Sequence, residues 1–301
     1  MTIDYPDNFS LEQLNNNFLW KYVGLHKLLD LVLNQIIYFA RLDSFEDGVE
    51  GLTGRGLTLK AFTQGKPLTP ENVNPRFAPE KQKELIEGDK FNRVEYLRDL
   101  SLSQQTQFAS CWFLGNRESL AMWKLYSNKD GVAIKFNARE LTDTIIAAAE
   151  NYTHTDFEIL IFGPVEYKNI WPYDHKETFK GKNNAMKKDK SYSHESEFRF
   201  ITVVPVDKKG VYNNFTLPIG DLSSYEVEII TNPFMQKWEI DNLKKLLEPY
   251  HLETKIIPSS MDIKPCKQQY RKNFSNRNPR YFFVYYDEQE KSFYCWILCS
   301  T

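Results

Sequence analysis

The segment Ser193-His194-Glu195-Ser196-Glu197-Phe198-Arg199-Phe200-Ile201 constrains the fold more than any other stretch of this chain. It places two carboxylates and a guanidinium at alternate positions, 195, 197 and 199. Alternate residues of a β-strand point to the same face. The chain continues through Thr202, Val203 and Val204, which is β-prone and largely apolar. A strand with Glu-x-Glu-x-Arg on one side and Phe198 and Phe200 on the other must separate two environments. The charged side is costly to bury unless its groups pair or meet water. Two readings follow: a solvated face cross-linked by Glu and Arg, or a site.

The surrounding patterns assign the other elements. Residues 1–18 read as a polar lead-in and Trp20 to Val23 as a short strand. Leu25, Leu28, Leu29, Val32, Leu33 and Ile36 recur at helical spacing, and Ile37 to Ala40 is a second strand. Gly48, Gly51, Gly54 and Gly56 suggest a glycine-rich loop. A helical insert is expected at about 58–104, its first part broken by Pro67, Pro70, Pro75 and Pro79. Strands return at 107–113 and 131–136 around an aromatic helix, and a further helix covers Arg139 to Tyr152. Ile159 to Tyr167 reads as a strand and 168–190 as a Lys-rich connection. Strands at 197–205 and 226–231, a helix from Met235 to Tyr250 and a strand from Thr254 to Ile257 complete the main body. The tail 264–301 carries a basic stretch, then two β-prone runs, Tyr281–Tyr286 and Ser292–Cys299, spaced like a hairpin. No regular βαβ alternation is visible. The expectation is one α+β domain over 1–301, with a mixed or split β core and helices packed around it.

Composition sets bounds on function. The net charge of −2 gives no global electrostatic case for nucleic acid or a membrane. The first ten residues lack a basic, apolar leader, and the stretch from Leu28 to Ala40 is broken by Asp30, Asn34 and Gln35. A soluble, cytoplasmic protein without membrane partners is the expectation. Cys111, Cys266, Cys295 and Cys299 are too few and too scattered for a disulfide framework or a zinc site. None of the five histidines forms a metal-ligand spacing, so no metal is expected. Ser110 lacks the Gly-x-Ser-x-Gly elbow of a serine hydrolase.

Other residues admit two readings each. In Met122-Trp123-Lys124-Leu125-Tyr126, the rings of Trp123 and Tyr126 either pack the core or line a pocket, where a ring stacks on a base and a phenol orients a hydroxyl. Asp47 and Glu50 fall in a turn after the second strand, where Asp47 either forms the turn or meets a ligand.

Four motifs, in order, are Lys21-Tyr22, Phe45-Glu46-Asp47-Gly48-Val49-Glu50, Met122-Trp123-x-x-Tyr126 and Glu195-x-Glu197-x-Arg199. Together they resemble the bacterial domain-of-unknown-function family 2971, over roughly residues 19–260. That family name implies no activity. The order of a Lys-Tyr strand, a Ser-bearing strand, an aromatic helix and a late Glu-bearing strand is more distantly similar to the NAD-using ADP-ribosyltransferase superfamily. That resemblance implies a first-strand residue at Lys21 or Tyr22, a middle one at Ser110 or Tyr126, and a late carboxylate at Glu195 or Glu197. The first strand here has no clear Arg or His. The implied reaction is NAD cleavage with ADP-ribosyl transfer, NAD serving as substrate. Glu197 would stabilise oxocarbenium charge and Glu195 would position or activate the acceptor. Arg199 would either clamp a phosphate or fix Glu197. Lys21, Tyr22, Trp123, Arg199, Asp47 and Glu50 are the candidate nucleotide-binding residues.

A rival reading needs no such chemistry. Residues 264–280 hold Lys264, Lys267, Arg271, Lys272, Arg277 and Arg280, with Tyr270 and Phe274 interleaved and no acid. Such a run can track phosphates and stack bases, as in a nuclease-like or phage-responsive effector. Lys180, Lys182, Lys187, Lys188 and Lys190 form a second basic run. A non-catalytic protein-interaction module is the third class.

Overall fold

The computed structural model describes residues 1–153, 156–170 and 184–261, and the backbone of two further strands at 282–287 and 292–297. In chain order the first half contains β1 (Thr2–Asp4), β2 (Phe18–Val23), α1 (Leu25–Asn34), β3 (Ile36–Arg41), α2 (Gly54–Phe62), α3 (Pro79–Gln105) and β4 (Gln107–Leu114). Then come α4 (Leu120–Tyr126), β5 (Val132–Asn137), α5 (Ala138–Glu150), β6 (Ile159–Pro164), β7 (Glu166–Lys168) and β8 (Lys187–Asp189). The last part holds β9 (Glu197–Val203), β10 (Asn214–Pro218), β11 (Val227–Thr231), α6 (Lys237–Leu247), β12 (Ile256–Pro258), β13 (Phe282–Asp287) and β14 (Ser292–Ile297).

Ten of these strands form one mixed sheet, which makes the protein α+β. The main path runs β1-β6-β9-β4-β2-β5-β11-β12, and β3 with β10 branches from β4. The end pairs β1–β6 and β11–β12 are parallel, and the inner ladders are antiparallel. β13 and β14 pair as the antiparallel hairpin expected from the tail.

The alternation read in the sequence builds two unequal faces. On one face Phe198 and Phe200 of β9 join Phe108 and Trp112 of β4, Leu160 and Phe162 of β6, and Leu19 and Val23 of β2. Leu28 and Val32 of α1 and Leu141 and Ile145 of α5 close this main core. Each such side chain stabilises the fold by roughly 1.5–3 kcal/mol on burial. The other face carries two smaller clusters. One gathers Trp20, Tyr22, Phe113, Met122 and Trp123; the other gathers Leu42, Ala109, Ile161, Ala185, Met186 and Ile201.

β4 forks the sheet. β9 pairs with one of its edges from Gln107 to Phe113. The other edge is shared: Phe113 and Leu114 pair with β2, while Phe108 and Ala109 pair with β3. Between the two branches the Lys21 ammonium donates to the Cys111 carbonyl at 2.6 Å. It also lies 5.1 Å from the centroid of the Trp112 ring. The fork therefore leaves a backbone acceptor without a strand partner, and a lysine satisfies it.

Several expectations need correction. The polar lead-in contains β1, and its Phe9 and Leu14 are buried in the main core. Gly54 and Gly56 open α2 rather than a loop, behind an N-cap in which Thr53 accepts from the Gly56 amide. A Cβ on Gly56 would stand 2.1 Å from an Asp99 carboxylate oxygen, so glycine there permits close contact between α2 and α3. The insert thus begins at Gly54 and ends at Gln105. β10, with its short ladder to β3, was not anticipated, and the Lys-rich connection contains β8, paired in parallel with β7. Among the described residues no helix is long and apolar enough to cross a membrane.

Candidate functional site

Glu197 and Arg199 stand on the sheet face away from the main core. In the β4–β9 ladder Phe113 lies opposite Glu197 and Cys111 opposite Arg199, so these four side chains share a face. Glu195 arrives differently. It ends a 3-10 turn, Lys190–Glu195, and Ser196 then takes a left-handed conformation at φ 39° before β9 begins at Glu197. The expectation that residue 195 belongs to the strand is therefore corrected. Its carboxylate nevertheless reaches the same place.

The centre is a ladder of alternating charge. An Arg199 Nη lies 2.5 Å from Glu50, and its other Nη lies 2.7 Å from Glu197. Lys188 Nζ stands 3.5 Å from Glu197 and 2.5 Å from Glu195. The Tyr126 hydroxyl donates to Glu195 at 2.8 Å. Glu50, Lys188, Glu195, Glu197 and Arg199 are all buried, and Arg199 is 0% exposed. Tyr126 is the open end of the ladder at 48% exposure. Burying five charges is tolerable because each meets one of opposite sign.

Local structure fixes these groups. β7 and β8 set Tyr167 beside Lys188 in register. The Tyr167 hydroxyl accepts from the Glu197 amide at 2.8 Å, and the Lys188 ammonium lies 4.6 Å from the Tyr192 ring centroid. Arg199 also donates to the Ala185 carbonyl at 2.6 Å, tying β9 to the segment that roofs it. Asp47 forms the turn that delivers Glu50: its side chain accepts from the Val49 amide at 3.0 Å, and its carbonyl from the Glu50 amide at 3.0 Å.

Titration follows from these surroundings. Burial opposes ionisation of Glu197, but Arg199 and Lys188 outweigh it and bring its pKa down to about 2. At Glu50 burial prevails over Arg199, so its pKa is raised. Burial would discharge Lys188, yet Glu197 and Glu50 more than compensate, and its pKa is raised. Lys188 is therefore a fixed ammonium and not a free nucleophile. Burial and the bond to Glu195 raise the Tyr126 pKa, so this phenol stays a donor. Burial also raises the Cys111 thiol, which excludes a ready thiolate.

Other candidate residues are placed elsewhere. Ser110 lies opposite Phe200 in the ladder, on the main-core face, and its hydroxyl accepts from the Trp112 indole at 3.1 Å. It does not join the carboxylates. Lys21 is spent on the sheet fork. Tyr22 and Trp123 meet edge to face at 5.0 Å within a buried cluster, leaving neither ring open for stacking. The Tyr22 hydroxyl accepts from the Ser119 amide, at the N-cap of α4. These two residues thus hold α4 in place, and α4 presents Tyr126. Arg199 is committed to Glu197, Glu50 and Ala185, which leaves the alternative of a phosphate clamp without a reachable donor. Among the described residues no three His, Cys, Asp or Glu side chains are grouped to hold a metal.

Lys188, one of the second basic run, is buried and bridges both carboxylates. The candidate basic segment 264–280 lies outside the described residues.

Residues 122–200 match a family model described as a protein of unknown function, DUF2971. The matched stretch runs from α4 into β9 and includes Tyr126, Lys188, Glu195, Glu197 and Arg199, but not Glu50. This supports the resemblance drawn to that family. No curated protein and no solved structure matches the chain.

Proposed function

We propose that the carboxylate–lysine–carboxylate cluster beneath Tyr126 is the centre of a nucleotide-dependent transferase or NAD-cleaving enzyme, with ADP-ribosyl transfer as its reaction. The observation that carries this reading is Glu197: a carboxylate kept ionised down to about pH 2 and aligned by Arg199, beside a second carboxylate. Cleavage of the nicotinamide–ribose bond sends the bonding pair out with nicotinamide and leaves oxocarbenium charge on the sugar. A preorganised anion stabilises that charge without reorganising during the reaction. Glu195 takes the proton of the acceptor, and the Tyr126 oxygen keeps lone pairs to receive an incoming donor.

The test is incubation with NAD, followed by assay of free nicotinamide and of label transfer to protein and nucleic-acid acceptors. Glu197→Gln should lower kcat by about 10²–10³ with a smaller change in KM. Absence of wild-type turnover would remove the reading.

One observation favours a second reading. Arg199 is wholly buried, and its partners Glu50, Glu197 and Ala185 come from separate segments, as expected of a non-catalytic ionic cross-link. In that case Glu197→Gln should lower the melting temperature, with no activity to lose.

A further inference from the structure

We propose that the outer face of α3 pairs antiparallel with the same face of a second copy of this chain. α3 is a helix of 27 residues, and its inner side sends Tyr96 and Leu100 against Val49, Leu52 and Leu57. The opposite side carries Phe91, Val94 and Leu97, exposed by 62%, 57% and 61%. Glu87, Phe91, Val94 and Arg98 recur at i, i+4, i+7 and i+11, so they lie along one stripe. A solvated helix gains nothing from three large apolar side chains there, and covering them removes apolar area from water.

The sequence of the stripe identifies the occupant. A two-fold axis between antiparallel helices pairs residues whose positions are equidistant from the axis. Set between Asn92 and Arg93, it lays Phe91 on the partner's Val94 and Glu87 against the partner's Arg98. Symmetry makes each contact twice. Leu97 then lies opposite the partner's Gly88, where the absence of a side chain leaves room for it. Centring the pair on Val94 instead would set Lys90 against the partner's Arg98, with like charges together. Both charges of the favoured register are free to re-pair. Glu87 has only an exposed contact to Lys83 at 4.0 Å, and Arg98 one to Glu95 at 3.7 Å. Three apolar residues per copy make a small interface, so the dimer is a weak, concentration-dependent one.

Sedimentation equilibrium of the full chain over a wide concentration range tests this. The wild type should shift from monomer to dimer mass. Glu87→Arg or Arg98→Glu alone puts like charges at both symmetric contacts and should weaken the dimer by about tenfold. The two reversals combined should restore wild-type association. Phe91→Ser should leave a monomer with unchanged helical circular dichroism. A monomer at every concentration, single reversals without effect, or a double reversal that fails to restore the dimer would each overturn the proposal. Because both reversed residues are exposed, a folding defect would not imitate the expected pattern.

Discussion

Arg199→Met is the sharpest probe of the buried ladder. The guanidinium contacts Glu197 at 2.7 Å, Glu50 at 2.5 Å and the Ala185 carbonyl at 2.6 Å, and no part of it meets solvent. Removing one partner of a buried ion pair costs about 3–5 kcal/mol, because the other charge remains desolvated. Losing the donor to Ala185 adds roughly 1 kcal/mol, while Lys188, 3.5 Å from Glu197, returns part of the loss. The net expectation is about 4 kcal/mol at pH 7, a fall of roughly 6 °C in melting temperature for a chain of this size. The sign with pH is fixed by linkage. Glu50 and Glu197 without Arg199 bind protons more readily in the native state than in the unfolded chain. The variant should therefore gain stability relative to wild type as the pH falls from 7 towards 5. Replacing the three groups together, by Glu50→Gln, Arg199→Met and Glu197→Gln, leaves no stranded charge and should recover much of the loss. Urea unfolding at the two pH values measures all of this. A single-variant loss below about 1 kcal/mol, a deficit unchanged by pH, or a triple variant no better than the single would refute the argument.

Acid unfolding of the wild type should include a Glu197 contribution. Its folded pKa of about 2 lies below the ordinary 4.5, so this stability is complete above pH 4.5 and is lost as the pH falls towards 2. The difference corresponds to about 3 kcal/mol, and Glu197→Gln should flatten that limb of the stability curve. Lys188→Met should raise hydrogen exchange at 184–195 more than in β5 and α5, because it strands Glu195 under the roof and leaves Glu197 with Arg199 alone; equal protection in both regions would contradict the ladder. For the basic tail, replacing Arg271, Lys272 and Arg277 by Ala should weaken any nucleic-acid binding and flatten its salt dependence. Anisotropy titration at two salt concentrations checks this, and binding insensitive to both salt and substitution would dismiss the surface.

The pairing of Glu197 with Arg199 was legible because strand geometry has a period of two, and both lie within β9. The sheet's mixed character was legible for a related reason: no alternation of strands and crossover helices appears in the chain. What alternation cannot say is which face becomes the core. Ser110 is a strand residue, but it lies on the main-core face and not with the carboxylates. Trp112, two positions on, carried the signal, since a large aromatic on that side marks the packed face. Glu195 joined the site through a 3-10 turn and a left-handed Ser196, a conformation unusual for a residue with a side chain and without a sequence signature here. Lys188 was hidden by its neighbours. A lysine run reads as solvated, and only the parallel pairing of β7 with β8 turns this one inward.

The position of the ladder explains why it is ionic at all. The main core is closed by α1 and α5, and within it Phe198 and Phe200 pack against Phe162 and, for Phe198, Phe9. The reverse face is covered by short pieces: the turn before α2, the segment from Asn184 to Glu195, and α4. Their apolar contribution over β9 comes from Leu42, Phe45, Ala185 and Met186. Such pieces cannot be held by area alone. Glu50, Lys188 and Glu195 reach back from the roof to Arg199 and Glu197 on the strand, so the charges hold the cover in place. The same ties bring two carboxylates together under the half-exposed Tyr126. Three acids and two bases thus meet beside a half-exposed phenol, and one set of ion pairs both holds the cover and forms the cluster.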